Sequence, residues 1–237
     1  MSVTVRVAPQ LRFLLSLRCR GGVAVVPVTD TSTLGHVVEA LGVPRTEMGE
    51  LLVNGHPTGV DARLREGDVV DVPVRPRPQR IPDVRFVLDV HLGTLARRMR
   101  LLGLDVAYRN DADDDELVVL ANAERRVLLT QDRGILRRRA LVSGAYVAGS
   151  RPDDQLADVL DRFAPPLAPW TRCPACNGVL SPVAKDDVSH LLPPGPGART
   201  PTSPGARRAS GSTGAGPTAT ASNRSSRLRP APILPNS

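Results

Sequence analysis

The sequence predicts an α/β protein made of two compact domains and a disordered C-terminal tail. Three observations lead to this prediction. The 237 residues exceed the usual size of one domain, the pattern of short apolar runs changes near residue 83, and a segment rich in proline and arginine separates the two patterns. We therefore divide the chain into a first domain at 1–74, a linker at 75–82, a second domain at 83–165, a cysteine-containing segment at 170–190 and a tail at 193–237.

The first domain alternates short β-branched runs with a single helical pattern. The helix begins after Thr31, Ser32 or Thr33 and ends at Gly42, and Asn54-Gly55 is a tight-turn signal. Strands are predicted at 3–7, 23–28, 51–53 and 69–74. One helix among several strands predicts a mixed sheet with the helix packed across one face.

In the second domain, strand and helix patterns alternate, which predicts a parallel sheet flanked by helices. The strands are expected at 84–89, 104–108, 127–130 and around Tyr146, and the helices at 91–103, 113–126 and 152–163. In the first of these helices an apolar stripe is formed by Leu92, Leu95, Met99 and Leu102, and the residues outside it are Arg97, Arg98 and Arg100.

Carboxylates mark the edge of this sheet where ligands gather. Asp89 ends the first strand of the second domain and Asp132 follows the strand VLLT, so both belong at the carboxyl ends of parallel strands. The run from Asp111 to Glu116 can add a third carboxylate from the start of a helix. Clustered carboxylates need a compensating cation, and their hard oxygens suit Mg²⁺ or Mn²⁺, which can promote phosphodiester hydrolysis.

Each of these acids also has a purely structural interpretation. Asp89 can cap a helix beginning near His91, and the run 111–116 is typical of a solvated helix start that favours negative charge. Asp132 can form an Asx-turn before Gly134. Thr130 can bind a metal-bound water or shape the same turn. The joint placement of the acids favours the functional interpretation.

The formal charge of +7 is mostly a property of the tail. No acidic residue follows Asp187, and six arginines do, which leaves +1 for the rest of the chain. Near the predicted site, arginines that can line a phosphate track are Arg97, Arg98, Arg100, Arg133, Arg137, Arg138 and Arg139. Aromatic residues make up only 3% of the sequence, so few side chains are available for base stacking and the sequence gives no basis for predicting sequence-specific recognition of RNA.

Four segments of the second half resemble the PIN-like ribonucleases, specifically the RNase domain named after the C-terminal region of the mut-seven exonuclease. They are FVLDVHLGTLARRMRLLGLDVAY, DDDELVVLANAERRVLLTQDRGILRRR, DDQLADVLDRF and RCPACNGVLSPVAKDDV, within about 83–190. The resemblance implies a parallel-sheet nuclease that hydrolyses RNA with Mg²⁺ or Mn²⁺. It also implies that Asp89, Asp114 and Asp132 are the catalytic metal ligands, with Asp115 as the close alternative to Asp114.

The first domain resembles the ubiquitin-like β-grasp proteins of the sulfur-carrier kind, through LGVPRTEMGELLVNGHPTGVDARLREGDVVDVPV. Some members of the RNase family also have a β-grasp unit before the nuclease. A sulfur carrier ends in a free Gly-Gly, whereas this domain continues into VPVRPRPQRIP. A docking or substrate-presenting role is therefore expected instead of carrier chemistry, and the sequence leaves the partner of the domain open.

Cys173-Pro-Ala-Cys176 has the spacing of a zinc knuckle, which is half of a tetrahedral site. The resembled family supplies a second C-x-x-C about thirty residues later. In this sequence no cysteine follows Cys176, and His190 is the downstream residue whose nitrogen is a plausible ligand, so the zinc ribbon is incomplete. The alternative role of the two cysteines is that of a redox pair. We hypothesise that the abrupt change of composition after about residue 192 reflects a reading-frame shift or a sequencing error in a GC-rich gene, and we expect disorder from about Pro193 onward.

The sequence shows neither a signal peptide nor a transmembrane segment, and a cytoplasmic location is expected. The three cysteines fit a reducing compartment. The first functional hypothesis is a metal-dependent ribonuclease acting on RNA. The second is a noncatalytic RNA-binding or ribosome-associated adaptor with the same fold. Oligomeric state, the RNA substrate and the number of metals stay open.

Overall fold

The computed structural model describes residues 1–182, which fold as two sheets packed into one compact unit. The predicted disordered tail and His190 lie outside the described residues. The first sheet is mixed and has the order β2-β1-β5-β3-β4. Its strands are β1 (Ser2–Val7), β2 (Val23–Pro27), β3 (Leu52–Val53), β4 (His56–Pro57) and β5 (Val69–Val72). Strand β1 is antiparallel to β2 and parallel to β5, which confirms the predicted mixed sheet.

A single helix, α1 (Leu34–Leu41), packs across this sheet. The side chain of Thr33 caps it by accepting a hydrogen bond from the His36 N–H at 3.4 Å, and Gly42 ends it in the left-handed region with φ of +111°. Val37, Val38 and Leu41 point into the core that the helix shares with β1 and β5. The predicted β-grasp architecture is therefore confirmed.

The second sheet contains only parallel strands, in the order β7-β6-β8-β9. Its strands are β6 (Arg85–Leu88), β7 (Asp105–Tyr108), β8 (Val127–Thr130) and β9 (Gly144–Tyr146). The helices are α2 (Gly93–Leu101), α3 (Asp114–Ala123), α4 (Arg133–Leu136) and α5 (Pro152–Phe163), and 3₁₀ helices lie at Pro9–Leu14, Leu17–Cys19 and Val90–Leu92. The predicted alternation of strands and helices is confirmed, and α4 is an addition to it.

Both faces of the second sheet are buried. Phe86 and Leu88 of β6 pack on one face with residues of α2 and α5, while Val87 between them packs on the other face with residues of α3 and α4. All four residues of β8 are buried. A strand covered on both faces reads as a continuous apolar run, as FVL and VLLT do here. The two layers of helices leave the ends of the strands as the accessible edges.

The two sheets are joined by a buried ion pair. Arg162 of α5 donates from Nη1 to Glu47 Oε2 at 2.9 Å and from Nη2 to Glu47 Oε1 at 3.0 Å. The N–H of Tyr146 in β9 donates to Glu47 Oε1 at 2.7 Å. Arg137 adds hydrogen bonds to the carbonyl oxygens of Leu14 and Gly42. Side chains and backbone groups of both halves thus fix the β-grasp fold against the parallel sheet.

Arg100 lies on the inner side of α2, so the expectation that it falls away from the apolar stripe is wrong. It is buried, and its guanidinium donates to the carbonyl oxygens of Val106, Pro174 and Ala175. The aliphatic stem of an arginine tolerates burial when the guanidinium finds acceptors. Arg100 therefore holds the cysteine knuckle against the edge of the sheet instead of meeting solvent.

Asp105, at the start of β7, also ties the knuckle to the sheet. It accepts hydrogen bonds from Arg126 Nη1 at 2.7 Å and from Asn177 Nδ2 at 2.9 Å, and Arg172 lies 3.5 Å away. Burial disfavours its charged form, but hydrogen bonds from Arg126 and Asn177 together with the nearby guanidinium charges lower its pKa below the ordinary value. The ionised carboxylate is thus the form that the fold stabilises.

None of the helices among the described residues combines the length and the apolar character needed to cross a membrane.

Candidate active site at the carboxyl edge of the parallel sheet

Asp89 and Asp132 lie at the carboxyl ends of the neighbouring strands β6 and β8, and Thr130 connects them. Thr130 is the last residue of β8 and is fully buried. Its hydroxyl donates to Asp89 Oδ2 at 2.6 Å and accepts a hydrogen bond from the N–H of Asp132 at 2.8 Å. The backbone N–H of Asp89 also donates to the carbonyl oxygen of Leu129 at 3.0 Å. The structure therefore brings these two predicted site residues together.

The carboxylate of Asp89 is buried, with 5% of its surface exposed. It makes no capping hydrogen bond to the 3₁₀ helix Val90–Leu92 that follows it, so the structural interpretation of this residue as a helix cap is not supported. Among residues 1–182, no arginine, lysine or histidine forms a salt bridge with it. A buried carboxylate with one hydroxyl donor is a group that still needs a counter-charge.

Asp132 caps helix α4 while it stands at the sheet edge. Its Oδ1 accepts a hydrogen bond from the N–H of Gly134 at 2.5 Å. This is the Asx-turn that the sequence also allowed. The turn fixes one carboxylate oxygen and leaves the side chain at the surface. The structural and the functional interpretations of Asp132 are therefore compatible.

The acidic run before α3 divides into a helix cap and a pair of carboxylates that face an arginine. Asp113 is the N-cap, and its side chain and that of Glu116 exchange hydrogen bonds with the backbone as a capping box. Arg138 pairs with Asp114, from Nη2 to Oδ2 at 3.3 Å, and with Asp115. Asp114 is 47% exposed and Asp115 86%, so Asp114 is the more inward of the two candidates.

The carboxylates share one edge of the sheet, but they are not gathered around one point. In the part of the chain that the structure describes, no three His, Cys, Asp or Glu side chains lie close enough together to hold a metal ion. Asp89 and Asp132 are linked through Thr130, whereas Asp114 and Asp115 are paired with Arg138. The assignment of Asp89, Asp114, Asp115 and Asp132 as metal ligands stays a prediction.

The arginines proposed for a phosphate track have different surroundings. Arg97 and Arg139 are exposed, while Arg98 pairs with Asp153. Arg137 donates to carbonyl oxygens of the first domain, and Arg138 pairs with two carboxylates of the acidic run. Arg133 lies with its Cζ 5.6 Å from the ring centroid of Phe13. Arg133 is therefore the member of the set that combines proximity to Asp132 with an aromatic neighbour.

Cys173 and Cys176 form the turn that the knuckle spacing predicts. The N–H of Cys173 donates to the Gly178 carbonyl oxygen at 2.8 Å, and the N–H of Asn177 donates to that of Cys173 at 2.9 Å. Hydrogen bonds from the backbone N–H groups of Cys176 and Ala175 lower the pKa of the Cys173 thiol below its usual range. Both cysteines are free thiols. Their assignment as an incomplete Zn²⁺ site stays a prediction.

Sequence reasoning missed the residues that connect the first domain to this edge. Phe13 and Tyr146 pack with ring centroids 4.8 Å apart, and Glu47 binds Arg162 and the backbone of Tyr146. The first 29 residues contain four arginines and no acidic residue, a signal that does mark this part of the chain as basic. Nothing local singles out Phe13 or Glu47, because their partners lie more than 90 residues away.

Two family models match the two domains of the chain. Residues 84–200 match the family model of the Mut7-C RNAse domain, and residues 1–81 match that of the Mut7-C ubiquitin domain. Among solved structures, that of SAMP1 from Haloferax volcanii is similar at 16% sequence identity and a TM-score of 0.27, covering 33% of this chain and 100% of that chain. No curated protein matches.

Proposed function

We propose that this chain, in which residues 84–200 match the Mut7-C RNAse domain and residues 1–81 match the Mut7-C ubiquitin domain, is a metal-dependent ribonuclease that hydrolyses RNA phosphodiester bonds. The observation that carries the metal dependence is the buried carboxylate of Asp89, which has a hydroxyl partner and no cationic partner within residues 1–182. A divalent cation is the counter-charge that such a group needs.

The donor set fits Mg²⁺ or Mn²⁺, because carboxylate oxygens are the ligands these ions prefer. Asp89 and Asp132 would hold the ion from the two strand ends, and Asp114 is the third candidate, with Asp115 as its alternative. When bound, such an ion supplies Lewis acidity to water and to the scissile phosphate. The metal ligands proposed for the knuckle are Cys173 and Cys176, which would bind Zn²⁺ in an incomplete site.

The residues around the acids orient them. Thr130 donates to Asp89 Oδ2, so the other oxygen of that carboxylate remains for a ligand, and the Gly134 N–H fixes one oxygen of Asp132. Hydrogen bonds of this kind hold metal ligands in a productive orientation. Arg138 contacts Oδ2 of Asp114, so release of this pair would free both oxygens of that carboxylate for a ligand and the guanidinium for RNA phosphate.

A noncatalytic RNA-binding adaptor is the second candidate function. The pairing of Arg138 with Asp114 and Asp115 favours it, because the guanidinium already occupies two of the four carboxylates and offsets one of their charges. In an adaptor this pairing would persist in the presence of Mg²⁺ or Mn²⁺ and of RNA. In the ribonuclease it would give way to the metal.

Cleavage of a labelled mixed-sequence RNA with Mg²⁺ or Mn²⁺ separates the two functions. We expect cleavage by the wild type that EDTA abolishes, and a loss of about a hundredfold or more in Asp89→Asn and Asp132→Asn. Asp61→Asn is the matched control, because Asp61 is an exposed aspartate of the first domain. Circular dichroism verifies the fold of each variant. A folded wild type that leaves RNA intact with either metal would contradict the ribonuclease and favour the adaptor.

A further inference from the structure

A basic segment of the first domain lies beside helix α4, which begins after Asp132, because Arg137 of the turn that ends this helix donates to the Leu14 carbonyl oxygen. The 3₁₀ helices Pro9–Leu14 and Leu17–Cys19 follow β1, and Arg18 and Arg20 are exposed there. The first acidic residue of the chain is Asp30, so no carboxylate of the segment offsets these charges. A surface of this composition attracts polyanions.

Phe13 is an aromatic residue of this segment that the fold leaves 40% exposed. Its neighbours Leu11 and Leu14 in the same 3₁₀ helix are buried in the core of the first domain. The core packing of this turn is therefore supplied by the leucines. Phe13 instead lies at the surface of the first domain, on the side that faces the second domain.

Phe13 is flanked by side chains of the second domain. The guanidinium carbon of Arg133 lies 5.6 Å from its ring centroid, and the ring of Tyr146 lies 4.8 Å away at an interplanar angle of 55°. Arg133 follows Asp132 directly in sequence. Although the chain has only three phenylalanines and two tyrosines, one of each meets here.

The position of this cluster is fixed by both domains. Arg137, one turn after Arg133, donates to the Leu14 carbonyl oxygen at 3.2 Å and to that of Gly42 at 3.1 Å. The residue after Phe13 is thereby bound to the segment that Asp132 caps. These backbone hydrogen bonds therefore position the aromatic ring against the segment that begins at Asp132.

We infer that Phe13 and Arg133 form a stacking platform that binds an unpaired base of single-stranded RNA next to the strand ends, with Arg18 and Arg20 contacting its phosphates. The inference rests on the proposed function for its ligand class. Unpaired bases stack on aromatic rings and on guanidinium planes, and arginine over an aromatic ring combines both surfaces. In this inference the β-grasp domain supplies Phe13, Arg18 and Arg20, and the parallel-sheet domain supplies Arg133.

Fluorescence anisotropy of a fluorescein-labelled single-stranded RNA tests this platform in EDTA, where binding is separated from metal-dependent cleavage. Phe13→Leu keeps an apolar side chain against Tyr146 but loses the ring, and we expect it to weaken binding by about fivefold to a hundredfold. Phe13→Tyr keeps the ring and is expected to stay within about twofold of the wild type. Val142→Ala is the control, because Val142 is exposed and precedes β9, at the opposite edge of the sheet.

An RNA in which abasic positions replace the bases gives a second readout. It should bind the wild type more weakly than the intact RNA, and the difference should shrink in Phe13→Leu. Binding by folded Phe13→Leu at the wild-type level would overturn the platform, as would equal weakening in Phe13→Tyr or in Val142→Ala. A wild type that does not bind single-stranded RNA would also overturn it.

Failure of this inference is distinguishable from failure of the proposed function. Phe13-dependent binding without any cleavage would leave the platform standing and refute the ribonuclease. Metal-dependent cleavage whose KM is unchanged in Phe13→Leu would leave the ribonuclease standing and refute the platform. Gel analysis of the RNA after each anisotropy measurement verifies that it is intact.

Discussion

Substitution of Glu47 by glutamine tests the ion pair that joins the two domains. Glu47 and Arg162 have side chains only 7% and 4% exposed, and two hydrogen bonds of 2.9 and 3.0 Å connect them. The Nε of Arg162 is buried and has no hydrogen-bond partner in the described part of the chain. An uncharged amide at position 47 would therefore leave a buried and already undersatisfied guanidinium without its counter-charge.

Removal of one partner from a buried ion pair costs about 3–5 kcal/mol of unfolding free energy. With a urea m-value of about 2 kcal/mol/M, the unfolding midpoint of Glu47→Gln should fall by roughly 1.5–2.5 M. Asp153→Asn is the matched control, because it removes one partner of the exposed Arg98–Asp153 pair and should cost at most about 1 kcal/mol.

The assay is urea unfolding followed by circular dichroism and by the fluorescence of the single tryptophan. Because the pair connects the two sheets, its loss should also separate the two signals into distinct transitions. A midpoint of Glu47→Gln equal to that of the Asp153→Asn control would refute the reasoning. Combining Glu47→Gln with Arg162→Met should recover part of the loss, since the unpaired charge is then gone.

Two further predictions concern a glycine and a carboxylate. Gly42→Ala should lower the unfolding free energy by about 2–4 kcal/mol, and Gly55→Ala by about 1–2, both measured by urea unfolding. Both glycines have positive φ, but a Cβ at Gly42 would lie 2.9 Å from the Leu14 carbonyl oxygen and 2.8 Å from Arg137 Nη2, whereas one at Gly55 would have no neighbour within 4 Å. Equal losses would contradict this explanation. The pKa of Asp105 is lowered by folding, so the unfolded chain takes up the proton first as pH falls. Its contribution to the free energy of unfolding is therefore complete above the unfolded pKa of about 4 and is lost as pH falls through the lower folded pKa. In that pH window, acid titration should show a smaller decrease in the unfolding free energy of Asp105→Asn than in that of the wild type.

Local signals were sufficient for most of the fold. The helix α1 has a threonine cap at one end and a glycine at the other, and both act as the sequence predicts. Asn54 and Gly55 both adopt positive φ between β3 and β4, which is the geometry that this dipeptide favours in a two-residue hairpin. Signals of this kind are readable because the residues that satisfy each other lie within a few positions of one another.

Contacts between distant parts of the chain were not readable in the same way. Arg100 falls outside the apolar stripe of α2 by its residue type, yet the carbonyl groups of Pro174 and Ala175 give it buried acceptors. Glu47 and Arg162 are 115 positions apart. Periodicity identifies which face of an element is apolar, but it carries no information about the partner that a charged side chain will meet.

Only part of the candidate site could be predicted from the sequence. Asp89 and Asp132 follow buried strands, and adjacent parallel strands place their carboxyl ends together, so their proximity followed from topology. The acidic run was ambiguous because a helix start and a metal site favour the same residues. The structure divides it, since Asp113 caps the helix and Asp114 faces Arg138.

The segment around α4 connects the first domain to the candidate site. Asp132 begins it at the strand end, Arg133 contacts Phe13, Arg137 binds the backbone of the first domain, and Arg138 pairs with Asp114. A shift of this short helix would therefore move the proposed ligand, the aromatic contact and the competing guanidinium together. The Glu47–Arg162 pair connects the same two domains. Contacts with the β-grasp fold therefore help to position α4, so this fold is more than an independent neighbour of the parallel-sheet domain.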